Sequence, residues 1–249
     1  MTFDVAGVLA DAWRMWKRDR ELLLAVAGLF LFLPQFAAKL LIPVAPEPAG
    51  FGTDAAAFKS WLVAYQAWLS NYGAIIIVLS LALLFGTLLI FTLYLDTRRP
   101  NVRVGLINAL TLLPRYILAV LLISLPVYIG LILLALPGIY ALGRLMLTTP
   151  ALVADRSRGV FAALGRSVKL SRGHGMILAG FACITLFGGR LLAAPFDALG
   201  KTLGGAPMAN PFVAVLLHFG SAAGLAAGAL AAILIEISLY RRLAASKGI

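Results

Sequence analysis

The feature that most restricts this chain is a succession of long apolar runs separated by short basic segments. Residues 73–95 and 116–136 carry no charge at all. A helix rises about 1.5 Å per residue, so about 20 apolar residues cross the hydrocarbon core of a bilayer. A run at 22–42 also qualifies, interrupted only by Pro34 and by Lys39, which lies near enough to the end to snorkel its ammonium outward. After Leu136 the pair Pro137-Gly138 predicts a tight reversal, with 139–154 returning as a short fourth span that contains Arg144. Runs at 176–192 and 212–240 complete six predicted spans.

The fold class read from this pattern is all-α: a polytopic membrane bundle forming one integral membrane domain over residues 1–249. With 62% hydrophobic and 12% charged residues, the chain holds more apolar surface than a soluble core uses. Its net charge of +11 would suit a nucleic-acid partner if the cations covered a folded surface. They gather between the apolar runs instead, so no nucleic acid is expected. Six spans place Arg14, Lys17, Arg18, Arg20, Arg98, Arg99, Arg103, Arg115, Arg156, Arg158, Arg166, Lys169, Arg172, Arg241, Arg242 and Lys247 on one side. Only Lys39, Lys59, Arg190 and Lys201 fall on the other, and this bias predicts cytoplasmic N and C termini. The charged stretch before the first apolar run argues against a cleaved signal peptide. The single cysteine, Cys183, excludes an intramolecular disulfide and a thiolate metal cluster.

Three basic segments between spans have the periodicity of helices lying on the membrane. Val5, Leu9, Ala12, Trp13 and Trp16 oppose Asp11, Arg14 and Arg18 in the first. In the third, Val160, Phe161, Leu164 and Val168 oppose Arg158, Arg166, Lys169 and Arg172, four candidate contacts for anionic lipid headgroups. The middle segment, 104–113, is weaker, and Pro114 is expected to separate it from the next span. The series Leu9-Ala10-Asp11-Ala12-Trp13, Leu106-Ile107-Asn108-Ala109-Leu110 and Val160-Phe161-Ala162-Ala163-Leu164 fits a threefold repeat of interfacial helix plus hairpin. It fits equally well three basic amphipathic helices that resemble one another only as such helices do. On the opposite side, Phe58, Trp61, Leu62, Tyr65, Trp68 and Leu69 form an aromatic-rich stripe suited to the outer headgroup layer.

Within the spans, Gly220, Gly224 and Gly228 recur every fourth residue and predict close helix packing, inside the bundle or at a homodimer contact. Arg144 lies deep, where an ionised side chain is costly unless paired or hydrated. Glu236, near the end of the last span, is its expected partner, directly or through water. His218 and His174 lie apart, near opposite ends of their spans, and no H-E-x-x-H accompanies them. These residues supply neither a catalytic constellation nor a metal site, and no cofactor is expected.

Leu136-Pro137-Gly138-Ile139-Tyr140, Arg144, Pro150-Ala151-Leu152-Val153, Asp155, Gly159-Val160, Ala163-Leu164, Arg166-Ser167 and Arg172-Gly173 lie in the middle of the chain. This stretch resembles the membrane-domain family named after glycerophosphoryl diester phosphodiesterases, a group of bacterial multi-span proteins. The resemblance implies a bacterial inner-membrane location and a helical fold. In some relatives such a domain precedes a soluble phosphodiesterase barrel that holds the catalytic residues; hardly any length lies outside the spans here, so no activity is carried over. The expectation is a non-enzymatic inner-membrane protein that interacts with membrane lipids or an envelope protein partner. A transporter or channel for a small or lipidic solute is the alternative, and a lipid-modifying enzyme comes third.

Overall fold

A computed structural model of the protein describes residues 4–48, 54–96, 102–133, 135–155, 159–204 and 210–248. Among these every regular element is helical: α1 (Val5–Ala27), a π-helical turn (Gly28–Phe32), α2 (Leu33–Leu41), α3 (Ala55–Leu95), α4 (Val102–Leu133), α5 (Ala135–Leu145), α6 (Thr148–Ala154), α7 (Gly159–Leu170), α8 (Gly175–Gly204) and α9 (Pro211–Ser246). Six helical segments are long and apolar enough to cross a membrane, so the chain is an all-α polytopic bundle.

The helix starts are written locally. Asp4, Asp54 and Asn210 each accept a hydrogen bond from a backbone N–H of the first turn they precede, satisfying donors that a helix leaves open. Pro211 follows Asn210 in the first turn of α9, where a missing N–H costs nothing. In the first span the π turn lies directly ahead of Pro34 and absorbs the backbone mismatch, so the helix continues into α2. Asp19 departs from helical dihedrals (φ −117°, ψ 25°) and divides α1 into a boundary segment, 5–18, and the span proper.

Three expectations need correction. The reversal into the fourth span comes ahead of Pro137-Gly138, which lie in the first turn of α5. A Cβ on Gly130 would sit 2.7 Å from the Gly138 Cα, so these two glycines let α4 and α5 touch just below the turn. Pro114 does not separate a surface helix from a span, because α4 runs unbroken through both Pro114 and Pro126. A proline costs one backbone hydrogen bond, which an otherwise favourable apolar helix tolerates. The fourth span is itself broken, with α5 ending at Leu145 and α6 starting at Thr148.

The side chains buried in α3 lie between Gly86 and Leu95, and most of those in α9 between Leu230 and Ala244, so the core gathers toward the end that carries Arg241 and Arg242. Here α6, buried from Thr148 to Val153, packs against α3, α4, α7 and α9. At the opposite end α3 continues outward; its 41 residues extend about 61 Å, roughly twice the hydrocarbon thickness. The aromatic stripe there is a ladder of Phe58, Trp61, Tyr65, Trp68 and Tyr72, with successive rings 5.6–6.1 Å apart. Trp61 and Trp68 donate their indole N–H groups to the carbonyls of Pro46 and Pro43, tying the preceding loop along the helix.

Candidate functional site

At the basic end the three boundary segments share one burial feature. Ala12, Ala109 and Ala163, aligned in the sequence series, are all buried at 8%, 0% and 5% exposure. A small residue there lets each segment seat closely on its neighbour. The larger apolar side chains beside them face outward: Leu9 and Trp13, Ile107 and Leu110, and Phe161 are exposed.

Each hairpin also ends against the boundary segment of the next unit. Asn108 Nδ2 donates to Asp96 at 3.2 Å, joining the end of α3 to α4. Arg166 pairs with Asp155 at 3.5 Å, joining the end of α6 to α7. Arg242, near the end of α9, pairs with Asp11 and, at 3.1 Å, with Asp4. These three contacts close a ring from the last unit back to the first. Asp11 and Asn108 hold the same position in the aligned series; the third link uses Arg166, one helical turn beyond Ala162. The Asp11 carboxyl, in the boundary segment outside the span, is held below the usual carboxylate range chiefly by its hydrogen bond from Arg242.

The broken span supplies a second polar cluster. Ending α5 at Leu145 frees backbone carbonyls, and Ser167 Oγ donates to the Arg144 carbonyl at 2.8 Å. Ser171 reaches the same oxygen at 3.5 Å. The C-terminus of α7 is closed in turn by Lys247, whose ammonium donates to the carbonyls of Lys169, Leu170 and Arg172. The roles of Ser167, Ser171 and Lys247 at these helix ends are not read from the sequence. The available signal was two serines four residues apart, one in the last turns of α7 and one directly after it.

Arg144 and Glu236 do not form the direct ion pair expected of them, since among the described residues no ion pair joins them. Glu236 instead lies within electrostatic reach of Tyr116 on α4. The need of a deep cation for a counter-charge put the two residues together in the sequence reading, but that need says nothing about facing direction. Arg144 sits half-buried in the last turn of α5. Of the candidate headgroup contacts, Lys169 and Arg172 are exposed. Arg166 is drawn inward by Asp155 and lies over the Tyr240 ring, which removes it from the lipid-facing set. Arg158 lies outside the described residues.

Gly220, Gly224 and Gly228 pack within the chain, against α8. A Cβ on each would meet the Phe196 ring at 2.3 Å, the Leu192 backbone at 2.8 Å and the Gly189 Cα at 2.2 Å. At the far end, Lys39 pairs with Asp197 at 2.9 Å and so joins α2 to α8, where the sequence suggested snorkelling alone. His218 is half-buried in α9, and His174 occupies the α7–α8 turn with its backbone N–H donating to the Ser171 carbonyl. Among the described residues no three His, Cys, Asp or Glu side chains converge as a metal site. No family model matches the chain, and no curated protein or solved structure shows significant similarity to it.

Proposed function

We propose that this chain is a non-enzymatic bacterial inner-membrane protein, with both termini in the cytoplasm, that engages anionic lipids of the inner leaflet. The observation that carries the reading is the construction of the boundary segments. Each buries its alanine, turns large apolar side chains outward, and places exposed cations beside them. In α1 these are Arg14, Lys17, Arg18 and Arg20, with Lys17 over the exposed Trp13 ring at 5.4 Å. Such a helix offers apolar groups to the acyl boundary and cations to the headgroups. The middle of the chain resembles bacterial multi-span membrane domains, which supports the location.

Extraction of the protein directly from its membrane into polymer-bounded discs, followed by lipid analysis, tests the reading. Anionic lipids enriched in the discs relative to the bulk membrane are the expected result; a composition equal to the bulk membrane would sink it. A transporter is the second reading, favoured by the interrupted fourth span. Discontinuous helices commonly build solute sites, and Thr148 Oγ1, buried at the start of α6, has no hydrogen-bond partner. Solute flux in proteoliposomes would move the proposal to that reading. An envelope partner remains compatible with either, since the aromatic ladder and the boundary face lie on opposite sides.

A further inference from the structure

A cleft of about 580 Å³ opens between α1 and α9 at the basic end, lined by Asp11, Arg14, Met15, Arg18, Ser238 and Arg241. It lies at headgroup depth, because Arg14 and Arg18 precede the kink at Asp19 and Ser238 is three residues before Arg241. The volume falls within the range of small-molecule sites. We propose that this cleft binds a phosphate group, with the Ser238 hydroxyl at its floor and the Arg14 and Arg18 guanidinium groups at its mouth.

Three observations carry the assignment. The first is charge: three arginines and one aspartate leave the lining at net +2. The second is donor supply. Arg14 is engaged by Asp11, and Arg18 by Asp19 through Nε and Nη2. A guanidinium carries five N–H donors in a planar fork that matches phosphate oxygens, so both retain donors for a ligand. Their side chains are 73% and 68% exposed and are free to turn inward. The third is Ser238. It is 2% exposed, lines the cleft, and its Oγ has no hydrogen-bond partner. Leaving a buried hydroxyl unmade is unfavourable, and an anion oxygen at the floor would accept its proton. Arg241 forms the wall, donating to the Tyr94 carbonyl and lying over the Tyr94 ring. Asp11 turns toward Arg242 and Arg14, which keeps its carboxylate neutralised beside an anion.

This assignment deepens the lipid reading and rests on it for one ligand source, a phospholipid headgroup; free phosphate is the other source of the same chemistry. The test uses the full chain in neutral detergent, with native mass spectrometry after titration with dioctanoyl phosphatidylglycerol, dioctanoyl phosphatidylcholine or inorganic phosphate. Variants are Arg14→Gln/Arg18→Gln, Ser238→Ala, and a charge-matched Lys169→Gln/Arg172→Gln control on α7. The double arginine variant keeps the core intact, since Asp11 retains Arg242 and Asp19 retains the Tyr94 hydroxyl at 2.6 Å. Size-exclusion profile and melting temperature check that it folds.

The expected result is preferential binding of phosphatidylglycerol over phosphatidylcholine, weakened about tenfold in Arg14→Gln/Arg18→Gln and about threefold in Ser238→Ala, with the α7 control unchanged. Inorganic phosphate bound as tightly as the lipid, with the same variant pattern, supports the cleft and assigns it to free phosphate. Equal losses in both double variants, or none in Arg14→Gln/Arg18→Gln, overturn the cleft while leaving the lipid reading standing. Wild-type protein that binds neither phosphatidylglycerol nor phosphate selectively overturns the cleft and removes its lipid basis as well.

Discussion

Replacing Gly228 by alanine should separate α8 from α9 and lower the stability of the bundle measurably. The added Cβ would sit 2.2 Å from Gly189 Cα and 2.4 Å from its N, and both obstacles are backbone, which no rotamer change removes. Ordinary contact begins near 3.4 Å, so the helices must part by about 1.2 Å. α8 is also held by α5 about three turns away, where a Cβ on Gly143 would meet Ala179 N at 2.6 Å. Overpacking of this kind costs about 1–3 kcal/mol. Alanine also gains up to about 1 kcal/mol of helix propensity over glycine, and the comparison must cancel that gain. Gly188→Ala is the matched control, since nothing lies within 4 Å of its Cβ position. A thiol-reactive dye reporting on half-buried Cys183 gives the melting temperature in detergent. Relative to Gly188→Ala, Gly228→Ala should melt roughly 4–8 °C lower if the overpacking costs about 2 kcal/mol. Gly220→Ala should fall between them, because its obstacle is the Phe196 ring, which can swing. Equal melting of Gly228→Ala and Gly188→Ala would refute the close-packing argument.

Ser167→Ala removes the donor at the Arg144 carbonyl and should cost about 1–2 kcal/mol. Ser171→Ala should cost less, because its contact with that oxygen is longer; thermal melts of the two variants check the order. Asp11→Asn should lower the melting temperature by the same amount at pH 5 and pH 8. The folded carboxyl titrates below its ordinary value of 3.8, so the stabilisation from Arg242 is complete above that value and is lost only as pH falls through the lowered one. A deficit that grows between pH 5 and pH 8 would contradict the pairing. In a Cys183→Ala background, Ser246→Cys and Lys59→Cys should label from opposite sides of intact cells with a membrane-impermeant maleimide. Lys59→Cys should react without permeabilisation, and labelling of both from one side would defeat the six-span topology.

The spans were legible because apolar length is a one-dimensional quantity, and 73–95 or 116–136 could serve no other purpose. The glycine contacts were legible for a related reason, since a four-residue period specifies a face. What failed was whatever depends on the direction a helix takes after an interruption. Pro114 and Pro126 suggest breaks, yet α4 passes through both, because the flanking apolar residues sustain a helix that lacks single hydrogen bonds. The real break lies at Met146-Leu147, where the apolar pattern is undisturbed. Its sequence trace is Thr148-Thr149-Pro150: a proline suits the first turn of a helix, and Pro150 occupies the first turn of α6. Once α6 is redirected, position along the sequence no longer reports which residues face each other, and the direct Arg144–Glu236 ion pair is absent among the described residues.

The same separation applies to the charge that first suggested orientation. Counting cations treats every Lys and Arg alike, but the fold divides them by task. Arg242 and Arg166 link consecutive units, Lys247 caps α7, and Arg241 packs on Tyr94. Arg14, Lys17, Arg18, Arg20, Lys169 and Arg172 stay exposed beside the outward apolar groups. The first group sits near or just after the ends of helices, where carbonyls and carboxylates converge. The second lies on or beside the boundary helices, with side chains that stay exposed even where Asp11 and Asp19 engage Arg14 and Arg18. The phosphate proposed for this protein would draw on the second group, in which Arg14 and Arg18 border a cleft with a buried, unpartnered hydroxyl.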